Sequence, residues 1–479
     1  MRRPDKLLIV AHSPLRGGAE YCLDTTLRNL DRNNFDATVV FPFEGPMSHA
    51  AREYGYDVRA TPLCHWLYFD KDAWYWKNLL GRSWANVLRL RRLIREVRAD
   101  VVYTNTSAIF EAAVAARLAG VPHVWHVHEV LAEGNRMQQL LPLPVMKRLI
   151  YRLSDRIVFE SHSARRVFET STPADKSVVV YNSLRLTDEI ANCKLQIANC
   201  KSDENAAANP KSKIQNPKSD CPHLASPEGR GIFGLEADDR VIGFVGQFID
   251  RKNPLLLLRA LAKVREVPRL KCLFAGEGPL EGAMRAAIGR LCLGDICRIV
   301  GFQSDVAPVM RAIDILVLSS RQESFGLVLV EAASQGKPAI ACQCQGPGEI
   351  IVDGETGLLV PQDDENAMAR AIERMFADDG VRRRMGDAGR RRAYEEFCPV
   401  KNTRKLEQVF IEVIEASRRG RRERRSPLAP REESLRSPLA PQAESLRSPL
   451  APQADGAGGW ASQPVSSERI SASTRDSSH

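Results

Sequence analysis

Short apolar runs of four to six residues recur along this chain, each separated from the next by apolar residues at helical spacing. The pattern constrains the fold more than any other feature. A run with no polar alternation needs burial on both faces, and a parallel sheet covered by helices supplies that. Leu7–His12, Ala37–Phe41, Val101–Thr104, Val124–Val127, Arg156–Phe159 and Val178–Val180 read as strands of a first group. Helices are expected from about Ala19 to Leu30, over Val87–Val97 and over Phe110–Ala119. Val241–Val245, Lys271–Ala275, Ile315–Leu318 and Pro338–Ala341 form a second group. The expected fold class is therefore α/β, with two doubly wound parallel-sheet domains facing each other across a cleft.

Composition marks the boundaries. Residues 187–230 are polar and repetitive, with Ala191-Asn-Cys-Lys194 recurring as Ala198-Asn-Cys-Lys201. Too few apolar residues lie there to offset the entropy of ordering, which predicts a low-complexity insert. Residues 417–479 repeat Ser-Pro-Leu-Ala-Pro at 426, 437 and 448, and two prolines per unit exclude a helix. The expected division is a first domain over 1–186, the insert over 187–230 and a second domain over 231–390. A terminal helix over 391–416 and a disordered tail over 417–479 complete it. No apolar run approaches the roughly 20 residues of a membrane span. The N-terminal apolar run is too short for a signal peptide, so a cytoplasmic location is expected. The 11 cysteines are scattered and read as free thiols. A net charge of +9 suits a phosphate-bearing substrate or an anionic membrane surface and does not call for nucleic acid.

Ligands in such sheets bind beyond the carboxyl ends of the strands. After Ile315–Leu318 comes Ser319-Ser-Arg-Gln-Glu-Ser-Phe-Gly-Leu-Val-Leu-Val-Glu331. Its helix start offers the N–H groups of Phe325, Gly326 and Leu327 to an anion, next to Ser324. Glu323 precedes that helix and can accept hydrogen bonds from sugar hydroxyls. Glu331, about 7 Å further along the axis, would repel a diphosphate unless turned aside toward a diol such as a ribose. After Val241–Val245 comes Gly246-Gln247-Phe-Ile-Asp-Arg251-Lys252, where Lys252 can neutralise a departing diphosphate and Arg251 either assists or faces solvent. Gly276 and Gly278, after the next strand, either admit a flat nucleobase or simply turn the chain. Gly17 and Gly18 follow the first strand as a tight loop that matches neither a dinucleotide fingerprint nor a P-loop.

Taken together, the Glu323-x7-Glu331 spacing, the Gly346-Pro-Gly-Glu349 turn and Asp353-Gly-Glu-Thr-Gly-Leu-Leu-Val-Pro361 resemble the large retaining GT-B glycosyltransferase family, glycosyl transferases group 1. Gly301-Phe-Gln-Ser-Asp305 and Glu331-Ala-Ala-Ser-Gln-Gly-Lys-Pro338 fit the same pattern. The resemblance implies two Rossmann-like lobes, with a nucleoside-diphosphate sugar held mainly by the second and the terminal helix over 391–416 crossing back to the first. It implies that Glu323 contacts the donor sugar, Glu331 the ribose and Lys252 the diphosphate. It places the Gly17–Gly18 loop over the donor and requires neither metal nor cofactor. Where the family carries an arginine after the glycine, this chain carries Gln247. The implied reaction moves the sugar to a hydroxyl of a glycan, glycolipid or small molecule with retained configuration. Two other readings share the fold: a sugar-nucleotide epimerase and a non-catalytic nucleotide-sugar-binding subunit.

His128-Glu129, after Val124–Val127, resembles the family's cleft-facing pair. His128 either contacts the reacting sugar or acceptor, packs as an inert core histidine, or joins a neighbouring histidine on a metal. Asp70-Lys-Asp72 spells the D-x-D of metal-dependent glycosyltransferases and reads as chance. Trp66, Trp74, Trp76 and Trp84 precede the basic stretch Leu88–Val97, which either packs as an outer helix or contacts the inner face of a membrane.

Overall fold

The computed structural model describes residues 3–15, 17–68, 73–129, 131, 138–183 and 227–425. Asp70, Asp72, most of the polar insert and the tail from Ser426 onward lie outside the described residues.

The first lobe is built on a seven-stranded parallel sheet. In chain order its strands are β1 (Asp5–Val10), β2 (Phe35–Phe41), β3 (Asp57–Ala60), β5 (Val101–Thr104), β6 (His123–Val127), β8 (Arg156–Phe159) and β9 (Ser177–Val179). Their spatial order is β3-β2-β1-β5-β6-β8-β9. A two-residue pairing of β4 (Leu67–Tyr68) with β7 (Gln138–Gln139) stands apart from it. Alternation along β1 sends its side chains to opposite faces. Leu7 and Ile9 pack with Leu23 and Leu27 of the helix Gly18–Asn29, and with Phe410 and Val413 of the helix Pro399–Arg425. Leu8 and Val10 pack on the other face with Val87, Leu90 and Ile94 of the helix Ala73–Val97, and with Ala112 and Ala115 of Glu111–Ala119.

The second lobe carries six parallel strands: β10 (Arg240–Val245), β11 (Leu270–Ala275), β12 (Cys297–Gly301), β13 (Ile315–Leu318), β14 (Ala339–Cys342) and β15 (Gly357–Val360). Their order, β12-β11-β10-β13-β14-β15, puts β10 between β11 and β13. That is the point where the winding reverses, and β1, between β2 and β5, holds the same place in the first sheet. Loops leaving the two sides of a reversal diverge and leave a crevice.

Five strands were not expected from sequence: the two-residue β4 and β7, and β3, β12 and β15 of the main sheets. β3 is an exposed edge strand and β12 alternates only partly buried residues, so neither carries an apolar run. β15 lies inside the Asp353–Pro361 motif, which carries the family resemblance but no expected strand. The expected terminal helix over 391–416 is instead the end of the helix Asp379–Glu396 followed by a new helix, Pro399–Arg425. Proline at position 399 explains the break, since it is tolerated in a first helical turn and not further in. Phe397 stays in the second lobe's core while Leu406, Val409 and Phe410 enter the first lobe's. The expected tail over 417–479 also starts later: the helix continues to Arg425, and Arg418 pairs with Asp5 at 2.7 Å and Asp100 at 2.9 Å. The second lobe begins before 231, since Arg230 is buried and paired with Asp314 at 3.0 Å.

Candidate active site

The loops after β10 and β13 meet at the reversal point of the second sheet. Ser319 Oγ, directly after β13, donates to the carbonyls of Asn253 (2.9 Å) and Lys252 (3.1 Å). This fixes the backbone from which Lys252 reaches the Glu323 carboxylate in a direct ion pair. Ser320 Oγ donates to the same carboxylate at 3.4 Å. Only 15% of the Lys252 side chain and 8% of the Glu323 side chain are exposed, so the pair interacts in a medium less screening than water. Arg321, which sequence reasoning passed over, braces the two loops from outside through Asp250 (2.7 Å) and Asp363 (2.9 Å). Its hydrogen bonds hold the Asp363 carboxyl below the ordinary range. Arg251 donates to the Gln322 carbonyl at 3.4 Å, while Gln247 is exposed in the turn after β10.

The helix Leu327–Ser334 starts beside that pair. Its first-turn N–H groups have no acceptor within the helix. Gly326 precedes it at φ 103°, a conformation that favours glycine. Phe325 contributes only backbone to the site, because its ring is buried against Tyr181 and Phe397. Glu331 sits one turn further along the same helix and is engaged in contacts of its own.

On the side where a side chain would stand, Gly276 and Gly278 face the neighbouring turn. A Cβ on Gly276 would lie 2.0 Å from the Gly246 carbonyl oxygen, and one on Gly278 would lie 2.6 Å from that of Phe248. The space the missing side chains leave is filled by the neighbouring loop, and Phe248 N–H donates to the Glu277 carbonyl at 2.8 Å. These glycines therefore let two turns pack backbone to backbone, which positions Gln247 and Lys252.

Across the cleft, a Cβ on Gly18 would lie 3.9 Å from Leu327 Cδ1. The glycine loop of the first lobe thus abuts the start of the helix Leu327–Ser334. Behind it lies a polar wall drawn from the carboxyl ends of β1, β5, β6 and β8. His128 is buried, with Nε2 at 3.1 Å from Asn105 Oδ1 and Nδ1 at 3.4 Å from Glu160 Oε2. The Asn105 amide nitrogen donates to the Ala19 carbonyl at 3.0 Å, so its oxygen faces His128. A proton on His128 Nε2 follows, and Nδ1 is left toward Glu160. Tyr103 donates to the same Asn105 oxygen at 2.9 Å and lies 2.6 Å from His126 Nδ1. Both ring nitrogens of His128 are thus engaged with protein groups. His123 is spent on Thr104 at 2.8 Å. Among the described residues no group of three or more His, Cys, Asp or Glu is arranged to hold a metal ion.

Burial pushes the Glu160 carboxyl above its ordinary range, against the pull of His128. Burial also acts on Glu129, but Ser107, which donates from N at 3.0 Å and Oγ at 2.5 Å, His128 and His12 outweigh it and hold that carboxyl below its ordinary range. Burial raises Glu20, which lies 3.3 Å from His12. Sequence reasoning missed Asn105 and Glu160. Both lie just past the ends of strands, so the rule that found Glu323 finds them when applied to every strand.

A cavity of about 500 Å³ opens at the opposite edge of the first sheet, lined by Arg117, Arg152, Arg156 and Glu412 among others. Arg117 and Arg152 lie in the last turns of their helices, where cations offset the helix dipole, and the cavity is remote from the cleft chemistry.

Two doubly wound lobes whose reversal points face each other are the architecture of the GT-B class of glycosyltransferase folds. Residues 16–187 match the model described as Glycosyltransferase Family 4, and residues 226–392 match that of Glycosyl transferases group 1. The chain belongs to this family of group 1 glycosyltransferases. It is 32% identical over 161 residues to the lipopolysaccharide core biosynthesis glycosyltransferase LpsE of Rhizobium meliloti, covering 34% of this chain and 46% of that protein. It is 23% identical to the UDP-Gal:alpha-D-GlcNAc-diphosphoundecaprenol alpha-1,3-galactosyltransferase of Escherichia coli, over 85% of this chain and 97% of that one. The chain spans about half the length of several of the curated relatives it matches. Among solved structures, Anabaena HepE in complex with UDP and glucose superposes with a TM-score of 0.66 at 21% identity, covering 85% of this chain and all of that one.

Proposed function

We propose that this protein transfers a sugar from a nucleoside-diphosphate sugar to an acceptor hydroxyl with retention of configuration, in the synthesis of a cell-surface polysaccharide or glycolipid. The observation that carries the reading is the Lys252–Glu323 pair at the start of the helix Leu327–Ser334, directly across from Gly18. Breaking the anomeric C–O bond builds charge on the diphosphate. Lys252 and the first-turn amides are placed to meet that charge without a metal ion, and fixed donors of this kind lower a barrier by several kcal/mol. Glu323 is placed to take the donor sugar's hydroxyls, releasing Lys252 toward the phosphates. Glu331 then takes the ribose. The printed names of the Rhizobium and Escherichia relatives support the polysaccharide or glycolipid assignment.

A peripheral contact with the cytoplasmic face of a membrane fits this reading. No helix among the described residues is long and apolar enough to cross one. Trp84 and Leu88 are 56% and 45% exposed, one turn apart on the helix Ala73–Val97, which also exposes Arg92 and Arg95. Flotation with anionic vesicles should drop when Trp84 and Leu88 are both changed to Ala. Equal flotation of variant and parent removes this contact from the proposal.

The deciding experiment screens the protein for thermal stabilisation by nucleoside diphosphates and their sugars, then follows transfer with the stabilising donor. Glu323→Ala should abolish transfer while nucleotide still binds. Turnover of the donor without any acceptor, releasing free nucleotide and an altered sugar, would point to an epimerase instead. Full activity in Glu323→Ala would leave only a binding role.

A further inference from the structure

The helix His162–Glu169 belongs to the first lobe, yet part of its N-terminal cap comes from the second. Its own Ser161 Oγ accepts from Ala164 N–H at 3.0 Å. The two preceding amides go elsewhere: His162 N–H donates to Glu349 Oε2 at 2.8 Å and Ser163 N–H to Glu349 Oε1 at 2.6 Å. Two hydroxyls cross the same boundary. Ser163 Oγ donates to the Gln345 carbonyl at 2.9 Å, and Ser161 Oγ to the Ser324 carbonyl at 3.0 Å. A carboxylate taking two amides at a helix start combines charge-assisted hydrogen bonds with a favourable dipole.

The turn that carries Glu349 is itself pinned to the donor loop. Gly346 N–H donates to the Glu323 carbonyl at 2.8 Å. Gly346 lies so close to Phe325 that a Cβ on it would stand 2.4 Å from the Phe325 carbonyl oxygen. From behind, Arg392 donates to the carbonyls of Glu349 (2.8 Å) and Ile350 (3.0 Å). The backbone on which Glu323 rides is therefore continuous, through one carboxylate, with an acceptor-lobe helix. That helix directly follows Glu160, the partner of His128.

The geometry points to Glu349 as a positioning residue that locks the acceptor lobe onto the donor loop, setting His128 and Glu160 opposite the Lys252–Glu323 pair. The inference rests on the glycosyl-transfer reading above. Glu349 touches no reacting atom; it acts through the backbone of Glu323 and through the helix His162–Glu169.

Apart from the Gly17–Gly18 loop, the groups assigned to the donor lie in the second lobe, so most of the affinity should survive loss of the lock. In Glu349→Ala the nucleoside-diphosphate Kd should stay within about twofold of the parent, while kcat falls by about tenfold or more. Small-angle X-ray scattering of the nucleotide-bound variant should give a larger radius of gyration. Glu349→Gln keeps one good acceptor and should recover part of kcat. His162→Pro removes one clasp amide at a first helical position, where proline is tolerated. Combined with Glu349→Ala, it should cost less than the two single losses multiplied. The inference is overturned if Glu349→Ala keeps parental kcat and scattering, or if Kd weakens as far as kcat falls. Scattering needs no acceptor, so it decides on the lock even if the parent protein transfers no sugar and the functional reading fails.

Discussion

At the scale of single residues, the chemistry-bearing side chains sit where strands end. Lys252, Glu323 and His128 were legible because each follows a recognisable apolar run, and position after a strand is a statement about the sheet rather than about any one residue. What was not legible was pairing. Nothing in the sequence says that Lys252 and Glu323 neutralise each other, or that Asn105 fixes the proton on His128, because those contacts join residues 71 and 23 positions apart. Gln247 is exposed beside Lys252 in the β10 turn, where a second cation would have room. Gln247→Arg should therefore tighten nucleoside-diphosphate binding by about three- to tenfold, read by calorimetry. Unchanged or weaker binding would mean that the diphosphate lies away from this turn. A second residue makes a pH-dependent statement. Burial pushes Lys337 down to about 8, with Arg230 and Arg382 adding to the effect and Asp314 opposing it. Between pH 8 and the ordinary value of 10.5 the unfolded chain keeps a proton that the folded chain has shed, so stability should rise across that window. Lys337→Met should flatten the rise in Tm. An identical slope in the variant would place the titration elsewhere.

Elements followed the sequence where they are buried and escaped it where they are not. The central strands β1, β5, β10 and β13 each carry a run of four buried residues that is largely apolar, and they announce themselves. The edge strand β3 has the exposed sequence Asp-Val-Arg-Ala and pairs only because β2 offers a free edge. The helix Pro399–Arg425 could be seen as amphipathic, but its start could not, since the preceding helix shares its periodicity and only Pro399 separates them. The glycine turns after β10 and β11 show the same limit from the other side. Sequence marks them as glycine-rich, and only the structure shows that each is the other's ligand. Gly276→Ala must displace the Gly246 carbonyl or bend out of a φ of 150°, and both routes distort the turn that carries Lys252. It should lower stability by about 2 kcal/mol or more and weaken nucleotide binding together. The check is denaturant unfolding beside calorimetry on the same variant. A loss of binding with full stability would show that the glycine faces ligand after all.

At the scale of the whole molecule, both lobes were legible as doubly wound sheets, and so was a helix returning from the second to the first; the contacts that clasp the two lobes were not. The expected connections were a stretch of chain between them and a terminal helix crossing back to the first lobe. The structure adds two ties of other kinds, the Glu349 carboxylate on the helix His162–Glu169 and the tilted and edge-on ring contacts of Tyr181 with Phe325 and Phe397, beside the expected returning helix, here Pro399–Arg425. The last has a consequence for how the molecule is made. Leu406, Val409, Phe410, Val413 and Ile414 complete a hydrophobic core whose other buried members come from the first 180 residues. On the ribosome, the amino-terminal lobe therefore waits, with Phe35 and Tyr103 uncovered, until nearly all of the polypeptide has emerged. Nascent chains arrested before Pro399 should be cut readily by protease within β1–β9 and should recruit chaperones, whereas chains released after Arg425 should resist. Resistance in the shorter chains would mean that the lobe matures alone and the returning helix merely docks.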